Sequence, residues 1–453
     1  ICKIYRLRPP RRIFYRRAPP QIFNPLVNNI CIYIWLIILI PFSSFSNERR
    51  IGKLNTLDWD SYFNLGSNSS PYSAGTGYPD LSCVGAVVTG GLYGTGTLVA
   101  PNVVVTAAHV LKNYWSSPTP VPSEWQFILH TDYESASSAV TYDVESIILH
   151  PGWNKRLSQN SGTGDGDRLG VDIALLILKT SVVGVFPAKL PTGDLETVGT
   201  RAVLAGYGSM VDGSSGVVNS SNSIRIGGEN SLDRVVAEVD APEVDSSSKG
   251  GLLAVDFDSP QNNQNTLSDS SPTIDYLGSG TSSASPLSLE ASSAIGDSGG
   301  PAFIYDNQGW RSVGVVSYGT SDSTYGDITV YTRVANHIDW IKTYLPNWAQ
   351  ARQISYSGWL ELDWFGYFYA LTSNWNYHPV HGWFYSIDSD GESLWGWQSD
   401  HLGWWWSGLG VYPFLYSTGL GKWIYVNIAK SNKDLLYYYD YDLADWVSLS
   451  LSI

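Results

Sequence analysis

Cysteine is nearly missing from this chain of 453 residues, which carries three: Cys2, Cys31 and Cys83. Cys2 and Cys31 fall in an N-terminal segment expected to be removed, so no disulfide framework can be built in the mature protein. Charge is also scarce. Only 15% of residues are Asp, Glu, Lys or Arg, and the net charge is -14. No basic stripe lies outside the extreme N-terminus to neutralise phosphates, which excludes a nucleic-acid partner. Zinc spacing is absent too: His130, His337, His378, His381 and His401 form no His-Glu-x-x-His pattern. His150, in the run Ile148-Leu149-His150-Pro151, reads as structural, and Asp165-Gly166-Asp167 reads as a solvated turn rather than a calcium loop. The expectation is an enzyme or binding protein without metal or cofactor.

Long apolar runs are lacking as well. The longest, Ile30 to Phe42, follows several arginines; at about a dozen residues it is too short for a confident membrane span but suits a signal sequence. Ser44-Phe45-Ser46 then offers small residues for cleavage. Residues 1–46 are accordingly expected to be a signal peptide, its start uncertain because the chain opens on Ile1 and its single methionine is Met210. Length alone calls for two further domains, since 453 residues exceed what one hydrophobic core supports.

What is present is a constellation for nucleophilic chemistry. Residues 296 to 301 read Gly-Asp-Ser-Gly-Gly-Pro, preceded by Thr106-Ala107-Ala108-His109 and by Asp172-Ile173-Ala174-Leu175-Leu176. A serine hydroxyl is a weak nucleophile at neutral pH and needs a neighbouring base. An imidazole can take that proton and return it to a leaving amine, the role open to His109. A buried carboxylate can fix the imidazole tautomer, the role open to Asp172. The turn around Ser298 can aim the backbone N–H groups of Gly296 and Ser298 at a developing oxyanion.

In that order these residues resemble the trypsin/chymotrypsin family, in particular its disulfide-poor secreted bacterial members, from roughly Asp58 to Leu345. Further matches share the register: Gly94 to Val99 before the histidine, Leu204-Ala205-Gly206-Tyr207-Gly208 in mid-domain, Val316-Ser317-Tyr318-Gly319, and Val330 to Val334 before a final helix. Val110 and Ala294 stand where many animal members carry cysteine. The resemblance implies that Ser317 supports Asp172, that Ser317, Tyr318 and Gly319 line the substrate strand, and that Ser292 and Thr329 shape the primary pocket. With Ser292 at its floor, small or medium apolar side chains are expected rather than Lys or Arg, unless nearby Glu290 turns into the pocket. The resemblance also implies that Asp297 can pair with a newly released N-terminal amine. No Ile-Val-Gly-Gly start occurs, Arg50-Ile51-Gly52 being the nearest segment, so an enzyme active without cleavage is expected.

The short apolar segments of the body, among them Cys83 to Val88, Thr97 to Thr106 and Val313 to Val316, are bounded by Gly, Pro, Asn or Ser and read as strands. The expected fold is all-β: two six-stranded antiparallel barrels over residues 47–345 and one C-terminal helix. Asn336 is expected to cap that helix, and Ile338, Ile341 and Leu345 to form its buried stripe. Residues 209–293 are Ser-, Asp-, Asn- and Gly-rich and are expected to be a loop-rich insertion holding strands near Arg234–Val239 and Leu252–Phe257.

Beyond Pro346 the composition changes: twelve of the 19 tryptophans follow it. Tyr377-His378-Pro379 with Gly382-Trp383-Phe384-Tyr385 is echoed by Val411-Tyr412-Pro413 with Lys422-Trp423-Ile424-Tyr425. A period of about 40 residues indicates stacked β-hairpins, an aromatic-rich repeat domain over 346–453. It resembles the Trp- and Tyr-rich C-terminal repeats of some environmental bacterial surface proteins and, more distantly, the aromatic repeats of choline- and glucan-binding modules. Its rings either form the core of a small domain or contact glycan or cell envelope. The chain is thus expected to be a monomeric, exported serine endopeptidase acting on polypeptides through an acyl-enzyme. The alternatives are an inactive protease-fold adhesin or glycan-binding protein, and an esterase using the same three residues.

Overall fold

The computed structural model describes residues 51–451, apart from 70–76, 160–161, 163, 217, 221, 270–273, 321–322, 388–390 and 399–400. The expected signal segment, with Cys2 and Cys31, and Arg50 lie outside the described residues. Cys83 is buried and reduced.

Val-rich runs close the first β body. Val84–Thr89, Leu92–Ala100, Val103–Thr106, Ala174–Leu178, Thr141–Leu149 and Gln126–Ile128 pair in that order, the last returning to the first, as a closed barrel. β-Branched side chains pack well on a pleated surface, and Val84, Val87, Leu98, Val104, Phe127, Val144 and Leu176 meet in its core. The second body is a seven-stranded antiparallel sheet in the order Ile226–Ser231, Arg201–Gly206, Pro301–Tyr305, Trp310–Gly319, Ile328–Arg333, Leu252–Asp256, Arg234–Val236. Three of those strands come from the stretch expected to be loop-rich.

The C-terminal helix, Ile338–Lys342, is entered through a 3-10 turn, Val334–His337. Ile341 is fully buried, with Ile338 and Leu345 packed beside it. Asn336 does not cap this helix, contrary to the sequence expectation. Its Nδ2 donates to the carbonyl of Ala237 (2.8 Å) and its Oδ1 accepts from Arg333 (3.3 Å), so a tertiary tie has taken the side chain. Two further helices carried too weak an apolar pattern to be read: Trp59–Gly66 and Pro151–Gln159. The second starts on a proline, whose fixed φ suits a first turn, and buries Trp153 and Leu157 on one face.

Residues 352–450 form an eleven-stranded antiparallel sheet whose strands pair in chain order, from Arg352–Gln353 to Asp445–Ser450. Successive side chains point to opposite faces, and burial alternates accordingly. Leu360, Phe368, Phe384, Leu394, Trp405, Leu415, Ile424 and Leu436 fill a core on one face. On the other face the register lines rings up across strands, as in Trp375–Tyr385–Trp397–Trp404 and Trp395–Trp406–Tyr416–Trp423. Of the two roles open to the aromatic residues, core packing falls to the inward set and the remaining rings stand outside it.

This sheet is tied to the first barrel and its flanks. Gln350 donates to the carbonyl of Val99 (3.1 Å) and the Gly184 N–H to the carbonyl of Gln353 (2.8 Å). The Arg352 guanidinium lies 4.3 Å from the Phe186 ring centroid. Arg311, only 1% exposed, pairs with Asp306 and with Glu392 of the sheet, the latter at 2.7 Å.

Candidate active site

Strand pairing brings the first two chemical groups together. Val103–Thr106 runs antiparallel to Ala174–Leu178 with Thr106 opposite Ala174. The turn after one strand therefore sets His109, on the short helix Ala108–Leu111, beside Asp172 just ahead of the other. Asp172 is fully buried while the His109 side chain is 20% exposed. The His109 backbone N–H donates to Asp172 Oδ1 (2.9 Å), and His109 Nδ1 lies 2.6 Å from Oδ2. Ser317 donates from Oγ to the same Oδ2 at 2.6 Å. Burial by itself would raise the Asp172 carboxyl; the charge of His109 and hydrogen bonds from His109 and Ser317 outweigh it and hold the group below the ordinary carboxylate range.

Ser317 owes its aim to a bulge. Val316 pairs with Tyr331 and Tyr318 with Val330, which leaves Ser317 as the extra residue of its strand. An extra residue bends the strand and redirects a side chain, here toward Asp172.

The third group sits on a turn between Ala291–Ser292 and Pro301–Tyr305. Ser298 Oγ is 2.8 Å from His109 Nε2. Thr95, on the first barrel, fastens this turn: its N–H donates to the Ser298 carbonyl (2.8 Å) and its Oγ1 to the Gly296 carbonyl (2.7 Å). Thr106 Oγ1 in turn donates to the Thr95 carbonyl (2.8 Å). Two glycines make the turn feasible. Gly296 has φ +95°, and a Cβ there would stand 2.2 Å from the Tyr93 ring; at Gly299, φ +84°, it would meet Thr106 Oγ1 at 2.2 Å. Among the described residues, the N–H groups of Gly296 and Ser298 donate to no protein acceptor.

Asp297 points inward and is 3% exposed. Its carboxylate accepts from the N–H groups of Ala294 (2.8 Å) and Gly208 (2.9 Å). Burial pushes it well above the ordinary carboxylate value against those donors. A cavity of about 20 Å³, room for a single water, lies between it and Leu204, Ile226, Ala291, Ser292 and Val316. Strand Ile51–Lys53 runs beside this loop, with Gly52 opposite Ser292.

The expected pocket residues are close together. Thr329 Oγ1 lies 3.2 Å from Ser292 Oγ and 3.0 Å from Ser293 Oγ, and it accepts the Ser293 N–H at 3.1 Å. Glu290 belongs elsewhere: its carboxylate accepts from the N–H of Leu287 (2.8 Å), its carbonyl from the Tyr62 hydroxyl (2.9 Å). Burial first, then the charges of Asp258 and Asp233, hold it well above the ordinary value. These buried carboxyls, with Asp256, form a group that motif reading missed. Asp165 is engaged by Arg156, and His150 packs against His337 at 4.7 Å, with its backbone N–H donating to the Ile173 carbonyl (3.1 Å). Among the described residues no cluster of His, Cys, Asp and Glu is arranged to hold a metal ion.

A closed six-stranded barrel, a second antiparallel sheet and a serine turn between them define a chymotrypsin-like architecture. The trypsin family model matches residues 69–235 and 258–341, more than half of the chain. The chain belongs to the trypsin family. It is 26% identical over 260 residues to CLIP domain-containing serine protease B4 of Anopheles gambiae, covering 56% of this chain and 62% of that one. It is 24% identical over 257 residues to vitamin K-dependent protein C of Rattus norvegicus (55% and 45%), and 42% identical over 52 residues to spermosin of Halocynthia roretzi (12% and 13%). The chain spans less than two thirds of the length of each of these relatives.

Proposed function

We propose that the chain is an exported serine endopeptidase acting through Ser298, His109 and Asp172. The observation that carries this reading is the unbroken chain of short contacts, Ser298 Oγ to His109 Nε2 at 2.8 Å and His109 Nδ1 to Asp172 Oδ2 at 2.6 Å. Ser298 Oγ attacks the scissile carbonyl carbon while its proton passes to His109 Nε2. Charge then collects on the carbonyl oxygen, where the N–H groups of Gly296 and Ser298 receive it. Collapse breaks the C–N bond, and the amine leaves with the proton from His109. Water, deprotonated by the same imidazole, releases the acyl group from Ser298.

Export is supported by the apolar run Ile30 to Phe42 and the small residues after it. Among the described residues no helix is long and apolar enough to cross a membrane. The Gly208 and Ala294 donors to Asp297 support an enzyme active without cleavage, and the Ser292–Thr329 hydroxyls support a small pocket with no charge for Lys or Arg. Digestion of a peptide library tests the reading. Cleavage after small or medium apolar residues, abolished in Ser298→Ala, is the expected result. No cleavage overturns the peptidase reading, and cleavage confined to Lys and Arg overturns the pocket.

A further inference from the structure

The outer face of the C-terminal sheet has no part in peptide hydrolysis, and its make-up is unusual for a solvated surface. Its rings stand in register: Trp395 pairs with Trp406, Trp406 with Tyr416 and Tyr416 with Trp423, across four consecutive strands. The two ends of this column are open, Trp395 at 40% and Trp423 at 43% exposure. Ring packing toward its far end is edge to face, Trp406 against Trp423 at 85° and Tyr416 against Trp423 at 62°, which orients these three rings. The core of the sheet lies on the opposite face, so the outer rings are not needed to fill it.

Three properties of this face select the ligand. It carries little free charge: Arg352 and Glu361, borne there by its strands, pair with each other, and Lys430, from the loop before Leu435–Asp440, lies over the Tyr437 ring at 5.1 Å. It is also set with donors. Among the described residues, the indole N–H groups of Trp395, Trp406 and Trp423 and the hydroxyl of Tyr416 have no protein partner. A lipid chain or an apolar protein patch laid over them would strand those donors at a cost of desolvation. A chain with net charge -14 has no attraction for anionic membranes either. Finally, the attachment points advance by one strand spacing, about 4.8 Å, in a line rather than around a pocket. A pyranose matches all three, offering C–H groups to the negative ring face and hydroxyls at its rim, and an extended chain of them follows a line.

We propose that this face binds a neutral, extended polysaccharide, with Trp395, Trp406, Tyr416 and Trp423 as its stacking platform. The site is separate from Ser298 and does not depend on the peptidase reading. The test uses the full chain carrying Ser298→Ala, sedimented with microcrystalline cellulose, chitin or insoluble xylan. Retention on at least one of these, weakened tenfold or more in Trp395→Ala/Trp423→Ala with unchanged circular dichroism, supports the site. Titration of the unmutated face with soluble hydroxyethylcellulose gives a second readout: a saturable change in tryptophan fluorescence supports it without relying on the variant. Absence of retention on all three solids together with a flat titration overturns the proposal, as does equal retention of the double variant. It is also overturned if the double substitution instead removes a concentration-dependent dimer or binding to phosphatidylcholine vesicles. Fluorophosphonate labelling of the chain with Ser298 intact reports on the peptidase reading separately, and the double substitution leaves it unchanged.

Discussion

At the scale of single residues, Asp172 is the most constrained group in the site. Fully buried, it receives the His109 backbone N–H, the His109 ring and the Ser317 hydroxyl. Ser317→Ala removes one of two donors to Oδ2 while leaving the imidazole in place. It is expected to lower kcat about tenfold, the effect of one charge-assisted hydrogen bond at about 1.4 kcal/mol, with KM for a small peptide little changed. Asp172→Asn, which reverses the hydrogen-bonding preference at His109 Nδ1, is expected to lower kcat by about 10⁴; steady-state kinetics on both variants check the ranking. His109, Asp172 and Ser298 were legible in sequence because each lies in a short motif whose residue types the chemistry requires. Thr95 was not. Its partners, Gly296 and Ser298, are some two hundred positions away, and a threonine in a Gly-rich strand gives no local sign of holding a distant turn.

At the scale of elements, apolar runs bounded by turn residues located strands such as Val84–Thr89 and Val103–Thr106. Helix Trp59–Gly66 and the role of Asn336 escaped because tertiary contacts decide them: the helix packs on Ile226–Ser231, and the asparagine serves Ala237 instead of a helix end. The buried acids escaped for a related reason, being gathered from separate elements. Asp233 lies just ahead of strand Arg234–Val236, Asp256 ends the neighbouring strand Leu252–Asp256 with Asp258 after it, and Glu290 precedes Ala291–Ser292. Asp258 makes the consequence measurable. Burial, then the charge of Asp256, pushes its carboxyl up to about 7 from an ordinary 3.8. The folded chain therefore keeps a proton that the unfolded chain gives up. The stabilisation is fully present below about pH 4 and is lost as pH rises through 7. Asp258→Asn has no proton to lose. Its thermal midpoint relative to the parent should climb between pH 4 and 7 and level off above; a difference independent of pH would contradict the assignment.

At the scale of the whole molecule, the aromatic sheet is joined to the rest of the chain by buried polar ties rather than a free linker. Arg311 is the clearest. It is fastened to Asp306 within its own hairpin and reaches Glu392 on the sheet. Glu392→Ala leaves a buried guanidinium short of one partner, for an expected loss of about 2 kcal/mol in urea unfolding; a change below a few tenths would show that the tie is incidental. Hairpin repeats foretold the strands of this region. The division of its rings between core and surface needed the register, because a one-residue slip exchanges the two faces.

The proposed peptidase needs Ser298 to be an activated nucleophile in a site open to solvent. Covalent modification by a fluorophosphonate, followed by peptide mass spectrometry, measures that property without knowledge of any substrate. One adduct per chain is expected, located on Ser298 and lost in His109→Ala although the serine is still present. A folded protein that takes up no reagent, or takes it up equally well without the imidazole, would contradict it.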